Sequence, residues 1–330
     1  MVFVSAKLYR QSLPYRQPPA FISRDLIHLF KWEVVAIKDL KIGFIGAGKV
    51  GFSLGKLFQT GGIHVTGYFS RHGESAKEAA KFTDSEFYDD MGRLLSESDA
   101  LFLTVPDGEI TSVFEKLVSY GKDNKVPAGK MICHCSGALT STEAFPGIDE
   151  ISAIGFSLHP LFPVSDKYKS YEGLKDAFFC IEGDERFLPV WENIFSEMGI
   201  RTLKISSSDK VKYHMACATA SNLVCAVLDR AVTMFRECGF SESQALNALK
   251  PLIMSNVESV IKRGTESALT GPAERGDAGT IKKHLDCLKD RDNEEDIKLY
   301  ASATRTAVDI ASRKNPGRDY SDITDMLSNY

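Results

Sequence analysis

Residues 41–51 read KIGFIGAGKVG, and this stretch decides the fold. The apolar residues Ile42, Phe44 and Ile45 predict a buried strand. Gly46, Gly48 and Gly51 follow with the spacing G-x-G-x-x-G, and Leu54, Leu57 and Phe58 then recur at helical intervals. In a strand–turn–helix unit each glycine has its own reason. Gly46 permits the tight turn, Gly48 lets the backbone approach a pyrophosphate, and Gly51 lets the helix pack against the strand. The phosphates would then meet the unpaired N–H groups at the helix N-terminus. The expected dinucleotide contacts here are Gly46, Ala47, Gly48, Lys49, Val50 and Gly51. The same glycines would also suit a purely structural turn in an α/β sheet. A second strand at the right interval favours the dinucleotide.

That second strand spans residues 63–69, after Gly61-Gly62, and ends in Ser70-Arg71-His72. A domain that prefers NAD places an acid there for the ribose 2′-hydroxyl, whereas NADP calls for cations and small polar groups. Ser70 and Arg71 therefore favour NADP, with the Arg71 guanidinium pairing a 2′-phosphate. Residues 99–107 read as a buried parallel strand ending in a turn. Strand ends of this kind face the ligand crevice, so Thr104, Val105, Pro106 and Asp107 are further cofactor contacts. Residues 131–137 form another strand end, carrying Cys133-His134-Cys135. Alternation puts His134 on the face opposite both cysteines, so no metal site is expected. More strands are expected at 151–157, 177–182 and 201–205. Between the first two stands His159-Pro160, whose His suits a cleft or a buried position satisfied by backbone.

The chain has 330 residues, enough for two domains, with 43% hydrophobic and 25% charged residues. A net charge of −4 gives no reason to expect nucleic acid or an acidic membrane as a partner. No apolar run is read as long enough to span a bilayer. Seven cysteines without a CxxC pair fit reduced thiols in a cytoplasmic protein. Residues 1–38 hold six Lys/Arg against two acids and read as a poorly ordered extension, with a transit peptide as the alternative. Residues 39–206 form the expected doubly wound parallel sheet. Residues 207–315 form an all-helical domain for substrate binding and dimerisation, and 316–330 a loose polar tail.

The first helix of the second half carries Lys210 and His214 four apart, with Ser221 and Asn222 further along nearly the same stripe. Lys, His and Ser/Asn on one face otherwise lined by Ala and Cys fit a catalytic surface. They also fit solvated first-turn lysines and a core histidine. Residues 270–280 hold three glycines with Arg275, Asp277 and Thr280. Arg275 could bind a substrate carboxylate and Thr280 could cap the next helix; an internal Arg–Asp pair in a capping turn is the other reading. The segment 223–234 is apolar over most of its circumference, which fits a symmetric dimer or the centre of the helical domain itself.

With these residues in view the chain resembles Rossmann-like proteins with a C-terminal domain of unknown function, DUF2520, a family described as NADP oxidoreductases. The resemblance is carried by 42–51, Ser136-Gly137-Ala138, Leu158-His159-Pro160, Tyr213-His214 with Ala216 and Asn222, and 269–284 (LTGPAERGDAGTIKKH). More distantly it resembles pyrroline-5-carboxylate reductase, ketopantoate reductase, and the 6-phosphogluconate and 3-hydroxyisobutyrate dehydrogenases. Several of those relatives use a Lys-x-x-x-Asn pair on the first helix of the second domain. The matching positions here are Lys210 and His214, so the Asn is replaced.

The resulting expectation is an NADP-dependent oxidoreductase passing a hydride between nicotinamide and a small polar C=O or C=N carbon. A free imidazole titrates near ~6.5, which makes His214 the first proton donor. Lys210 is the second and would need burial to lower its amine from roughly 10.4 before serving as a base. Asn222 completes the catalytic set, and Ser136, His159, Ser221, Arg275 and Asp277 are expected to hold substrate. Two rival readings stay open. One is an NADP(H)-binding sensor or scaffold without turnover. The other is a hydride exchanger between NADP and a deazaflavin, which the long helical half does not favour.

Overall fold

The computed structural model describes residues 39–124, 128–290 and 294–330. The expectations for residues 1–38 lie outside them. The chain divides into two compact units between Ala218 and Thr219.

The first unit alternates strands and helices: β1 (Lys41–Ile45), α1 (Lys49–Thr60), β2 (His64–Phe69), α2 (Gly73–Thr83), β3 (Glu86–Tyr88), α3 (Met91–Glu97), β4 (Ala100–Leu103), α4 (Asp107–Asn124), β5 (Met131–His134), α5 (Ser141–Ala144), β6 (Ile154–Pro160), α6 (Ser170–Leu174), β7 (Phe178–Gly183), α7 (Leu188–Glu197) and β8 (Arg201–Lys204). The strands form one eight-stranded sheet in the order β3-β2-β1-β4-β5-β6-β7-β8. A sheet covered on both faces demands strands that are apolar on both sides. Phe44 packs with Phe58, Tyr68 and Phe102 on one face, while Ile45, Leu101 and Leu103 join Leu94 and Phe114 on the other. Strand order reverses between β1 and β4, and the loops leaving those two strands open the crevice where ligands bind in such folds.

Three differences from the sequence reading concern this unit. The sheet is parallel except at β6–β7, which pair antiparallel because the segment between them returns along the same end of the sheet. The strand expected at 151–157 starts only at Ile154, after a 3₁₀ turn over Ile148–Ile151, and extends to Pro160. His159 therefore lies within a strand, paired with Cys180. The helix α8 (Lys210–Ala220) begins in the first unit, beyond the boundary expected at 206.

The second unit holds α9 (Asn222–Glu237), α10 (Glu242–Ala268), α11 (Pro272–Arg275), α12 (Ala278–Asp290), α13 (Glu294–Lys314) and α14 (Ser321–Leu327). Ser241 and Gln244 close a capping box at the start of α10, and Gly264, at φ 79°, interrupts its last turns. The core of this unit is small: Ile281, Leu285, Ala301, Val308 and Ala311 with Tyr320, Ile323 and Leu327. Those last three overturn the expected loose tail, since 316–330 ends in a helix whose apolar side is buried. A second correction falls at Ser221. Its backbone (φ −123°, ψ −78°) leaves the helical region, so α8 and α9 are separate helices and the stripe running from His214 to Ser221 and Asn222 is broken. A third concerns membranes. The run Ser207–Glu237 is long and apolar enough to cross a bilayer by length and composition alone. The break at Ser221 cuts it into helices of 11 and 16 residues, each short of the ~20 that a span needs.

Candidate dinucleotide cleft and imidazole cluster

The turn after β1 is held by its neighbours. The Gly46 N–H donates to Phe69 O at 2.8 Å, and the Thr104 N–H donates to Ile45 O at 2.8 Å. The Thr104 hydroxyl donates to Gly46 O, also at 2.8 Å. Each glycine of the motif meets a different surrounding. A Cβ on Gly46 (φ 104°) would lie 2.6 Å from Thr104 O, and one on Gly51 would lie 2.6 Å from Gly46 O. A Cβ on Gly48 would meet nothing within 4 Å. Gly46 and Gly51 are thus required by packing, whereas Gly48 faces open space at the head of α1, where bare N–H groups point outward.

That space belongs to a cleft of about 560 Å³ lined by Gly46, Ala47, Gly48, Ser70, Arg71, Thr104, Val105 and Pro106 among the expected contacts. Lys49 is exposed at the first position of α1, and Val50 packs against the core; neither lines the cleft. Asp107 also stands outside it, at the start of α4, accepting the Ser136 hydroxyl at 2.6 Å. The cleft also takes in Ile45, Phe69, His72, Ser75, Met91, Glu109, Val113 and Lys116, none of which the sequence reading assigned to the cofactor. Met91, Val113 and Lys116 belong to the helices before and after β4, far from the glycine motif in sequence.

A second cluster lies at the carboxyl end of β5. Ser136 is buried, and its hydroxyl is fully used: it donates to Asp107 and accepts the N–H groups of Ala138 (3.3 Å) and Leu139 (3.1 Å). Its expected role in substrate binding therefore gives way to holding the loop. Next to it, Gly137 lies under two histidines. The position its Cβ would take is 3.0 Å from both His159 Nε2 and His214 Nε2. The two rings stand nearly perpendicular, 5.8 Å apart. His159 Nδ1 lies 2.7 Å from the Tyr213 hydroxyl. Burial, helped by the charges of His214 and Lys210 and opposed by Asp107, lowers the His159 imidazole to about 4. Burial holds the Tyr213 phenol well above its usual range, with the Cys180 and Cys217 thiols adding to the effect. His134 faces away, edge-on to Phe145, and burial pushes it down to about 3.

Lys210 is not solvated. It is 1% exposed and pairs with Glu182 at 3.2 Å, while also donating to the Ser157 hydroxyl. Glu182 Oε atoms also accept the hydroxyls of Ser141 (2.9 Å), Ser157 (2.9 Å) and Ser207 (2.7 Å). Burial pushes the Glu182 carboxyl up, but Lys210 and these hydroxyls outweigh it and hold it below its usual range. A buried charge with every lone pair answered is an anchor between α8 and strands β6 and β7. A Glu in the apolar run of β7 was the available sequence signal.

In the second unit, Ser221 and Asn222 are exposed at the break before α9. Arg275 ends the single turn α11 and is exposed. Asp277, not Thr280, caps α12: its carboxylate accepts the Thr280 N–H at 2.9 Å and the Thr280 hydroxyl at 2.7 Å. The aspartate precedes the helix and reaches back to the orphan donors of its first turn.

Two family models match this sequence, a Rossmann-like domain over residues 33–160 and a domain of unknown function, DUF2520, over residues 177–307. The chain carries a Rossmann-like domain and a DUF2520 domain. The DUF2520 match begins at β7, so it takes in Glu182, Lys210, Tyr213 and His214 from the first unit as well as α9 to α12 and part of α13. No curated protein matches the sequence. Among solved structures, a candidate NADP oxidoreductase from Bacteroides fragilis superposes with a TM-score of 0.64 at 20% identity, covering 83% of this chain and 100% of that one. A reductive aminase from Aspergillus terreus in complex with NADPH and ethyl-5-oxohexanoate gives 0.59 at 15% identity, covering 87% and 99%. A pyrroline carboxylate reductase from Plasmodium falciparum with NADP bound gives 0.52 at 14% identity, covering 84% and 100%. At these identities the likeness is one of fold.

Proposed function

We propose that this Rossmann-like/DUF2520 protein is an NADP-dependent oxidoreductase acting on a small polar C=O or C=N substrate. The observation that carries the reading is the cradle at Gly48, open where its two companion glycines are closed by packing. The N–H groups at the start of α1 would hold the pyrophosphate. Arg71, with Ser70 and Ser75 beside it, would take the 2′-phosphate, and Lys116 adds a second cation to the same cleft, set against the carboxylate of Glu109. Met91 and Val113 give the adenine an apolar wall, and Thr104 to Pro106 line the ribose side. The A. terreus and P. falciparum proteins, which bind NADPH and NADP, support the choice of cofactor.

NADPH, when bound, supplies the hydride. The protein supplies position and a proton. His214, half-buried over Gly137, is the proton donor, and its Nε2 is the atom that releases the proton to the substrate's oxygen or nitrogen. Lys210 contributes by fixing the start of α8, which carries Tyr213 and His214.

The second unit is proposed to pair with a second copy. Leu223, Val224 and Val227 of α9 are exposed, as are Leu252, Val257 and Ile261 of α10. So much exposed apolar surface on two helices supports that pairing. The described cysteines are all free, which fits a reducing compartment such as the cytoplasm.

A panel of small ketones, aldehydes and preformed imines tests the reading, monitored by loss of NADPH absorbance. At least one is expected to drive oxidation that His214→Ala slows by about 10²-fold or more. NADPH binding without consumption by any member would favour the sensor reading instead.

A further inference from the structure

Two imidazole nitrogens converge on one point. His159 Nε2 and His214 Nε2 each lie 3.0 Å from the position of a missing Cβ on Gly137, and His214 Cδ2 crowds the same spot. The glycine leaves room for those rings at the carboxyl end of β5; the His214 ring itself fills the spot, with Cδ2 nearest, and both outer nitrogens border it. His159 comes from β6 and His214 from α8, so the convergence belongs to the fold and not to a local turn.

We propose that Tyr213 locks His159 as a neutral hydrogen-bond donor, and that its Nε2–H and His214 together form the seat for the substrate's carbonyl oxygen or imine nitrogen, beside the spot over Gly137 that the His214 ring fills. This rests on the oxidoreductase reading and deepens it by naming the atom that is held and the group that holds it. His159 touches the held atom directly, and Tyr213, acting through His159, is the positioning residue.

The argument is one of hydrogen-bond inventory. The Tyr213 hydroxyl stands 2.7 Å from His159 Nδ1, and the Cys180 and Cys217 thiols are its other neighbours. A phenol has one proton to give. An imidazole nitrogen is a far better acceptor than a thiol sulfur, whereas a thiol S–H can donate weakly to the phenol oxygen. The consistent arrangement sends the Tyr213 proton to Nδ1 and the thiol protons to the phenol oxygen. Burial keeps the phenol protonated, so this donation is permanent at neutral pH. With Nδ1 accepting, the single proton of a neutral imidazole must sit on Nε2, the nitrogen that faces Gly137.

Burial keeps the His159 ring neutral, and the positively charged groups around it add to the effect. Lys210 and His214 contribute positive charge against a second proton, and Asp107 contributes the opposing negative charge. Glu182 does not reverse this, because its oxygens are taken by Lys210, Ser141, Ser157 and Ser207. A neutral N–H polarises an acceptor atom without giving up its proton. His214 is left as the group that gives a proton to the oxygen or nitrogen. A substrate bound this way presents a lone-pair acceptor to two imidazoles and needs no negative charge.

Long-range ¹H–¹⁵N NMR of the full-length protein with ¹⁵N-labelled histidine reads the tautomers directly. His159 is expected as the Nε2–H tautomer at neutral pH, remaining neutral until the solution reaches about pH 4. In Tyr213→Phe the two tautomers should become mixed. Acetamide at high concentration, an uncharged carbonyl probe, should shift the Nε2 signals of His159 and His214 and leave those of the buried His134 in place. A wild-type His159 in the Nδ1–H form, an imidazolium at neutral pH, an unchanged tautomer in Tyr213→Phe, or no response to acetamide would each overturn the proposal. NADPH binding by the same wild-type sample is scored separately, and its loss counts against the cofactor reading alone.

Discussion

Gly48 and Gly51 stand three residues apart and are glycine for opposite reasons. Gly48 has an ordinary backbone (φ −83°, ψ −173°) and free space around its missing Cβ. Gly48→Val should therefore leave the folded protein intact in a thermal melt while lowering dinucleotide affinity at least tenfold. Gly51→Ala puts a methyl 2.6 Å from the Gly46 carbonyl and should cost about 1–3 kcal/mol of stability, read from urea denaturation. Arg71→Ala removes one charge-assisted contact worth about 1.5–3 kcal/mol, so NADPH affinity should fall ~10–100-fold while NADH affinity barely changes. His134 makes a prediction about acid. Its unfolded imidazole protonates below ~6.5, but burial keeps the folded one neutral to about 3. Within that window the unfolded state binds the extra proton, so stability falls as the pH falls, by up to ~1.4 kcal/mol per pH unit. His134→Asn should flatten the slope of stability against pH between those limits. The glycine motif was legible in the sequence because its geometry is local. The pairing of Lys210 with Glu182 was not, because the partners are 28 residues apart and meet only through the antiparallel turn-back of β7.

That pair is also the hinge of the account at the level of elements. It ties the start of α8 to β6 and β7, with both side chains at 2% exposure or less. Lys210→Met alone should destabilise the first unit by about 3–5 kcal/mol, because it strands a buried carboxylate; adding Glu182→Leu should recover much of the loss. Equal stability of the single and double variants in urea melts would contradict the anchoring role. Strand alternation at Cys133 and His134 was readable, since each strand residue must choose one of two faces. The docking of α14 was obscured. Tyr320, Ile323 and Leu327 recur at helical spacing, but the charged residues among them gave the segment the look of a polar tail. Deleting residues 316–330 should lower the melting temperature of the second unit and expose its apolar core to a hydrophobic dye. Ser221 ended a helix that composition alone would have continued, because nothing in the local pattern of small residues marks where one unit yields to the next.

For the molecule as a whole, the alternation of strands and helices was legible, and the crevice between β1 and β4 followed from it. The exposure of the apolar residues of α9 and α10 was not, since an apolar helix reads the same in sequence whether or not its own chain buries it. Static light scattering should return twice the chain mass, and a charge placed at Val257 should shift it toward the monomer. The central claim is that open backbone amides at Gly48 and a guanidinium at Arg71 bind a phosphorylated dinucleotide. Calorimetric titration of the purified protein with NADPH and with NADH tests it most directly. The account predicts that NADPH binds at least tenfold more tightly than NADH. Equal affinity for the two, or no binding of either at millimolar concentration, would contradict it.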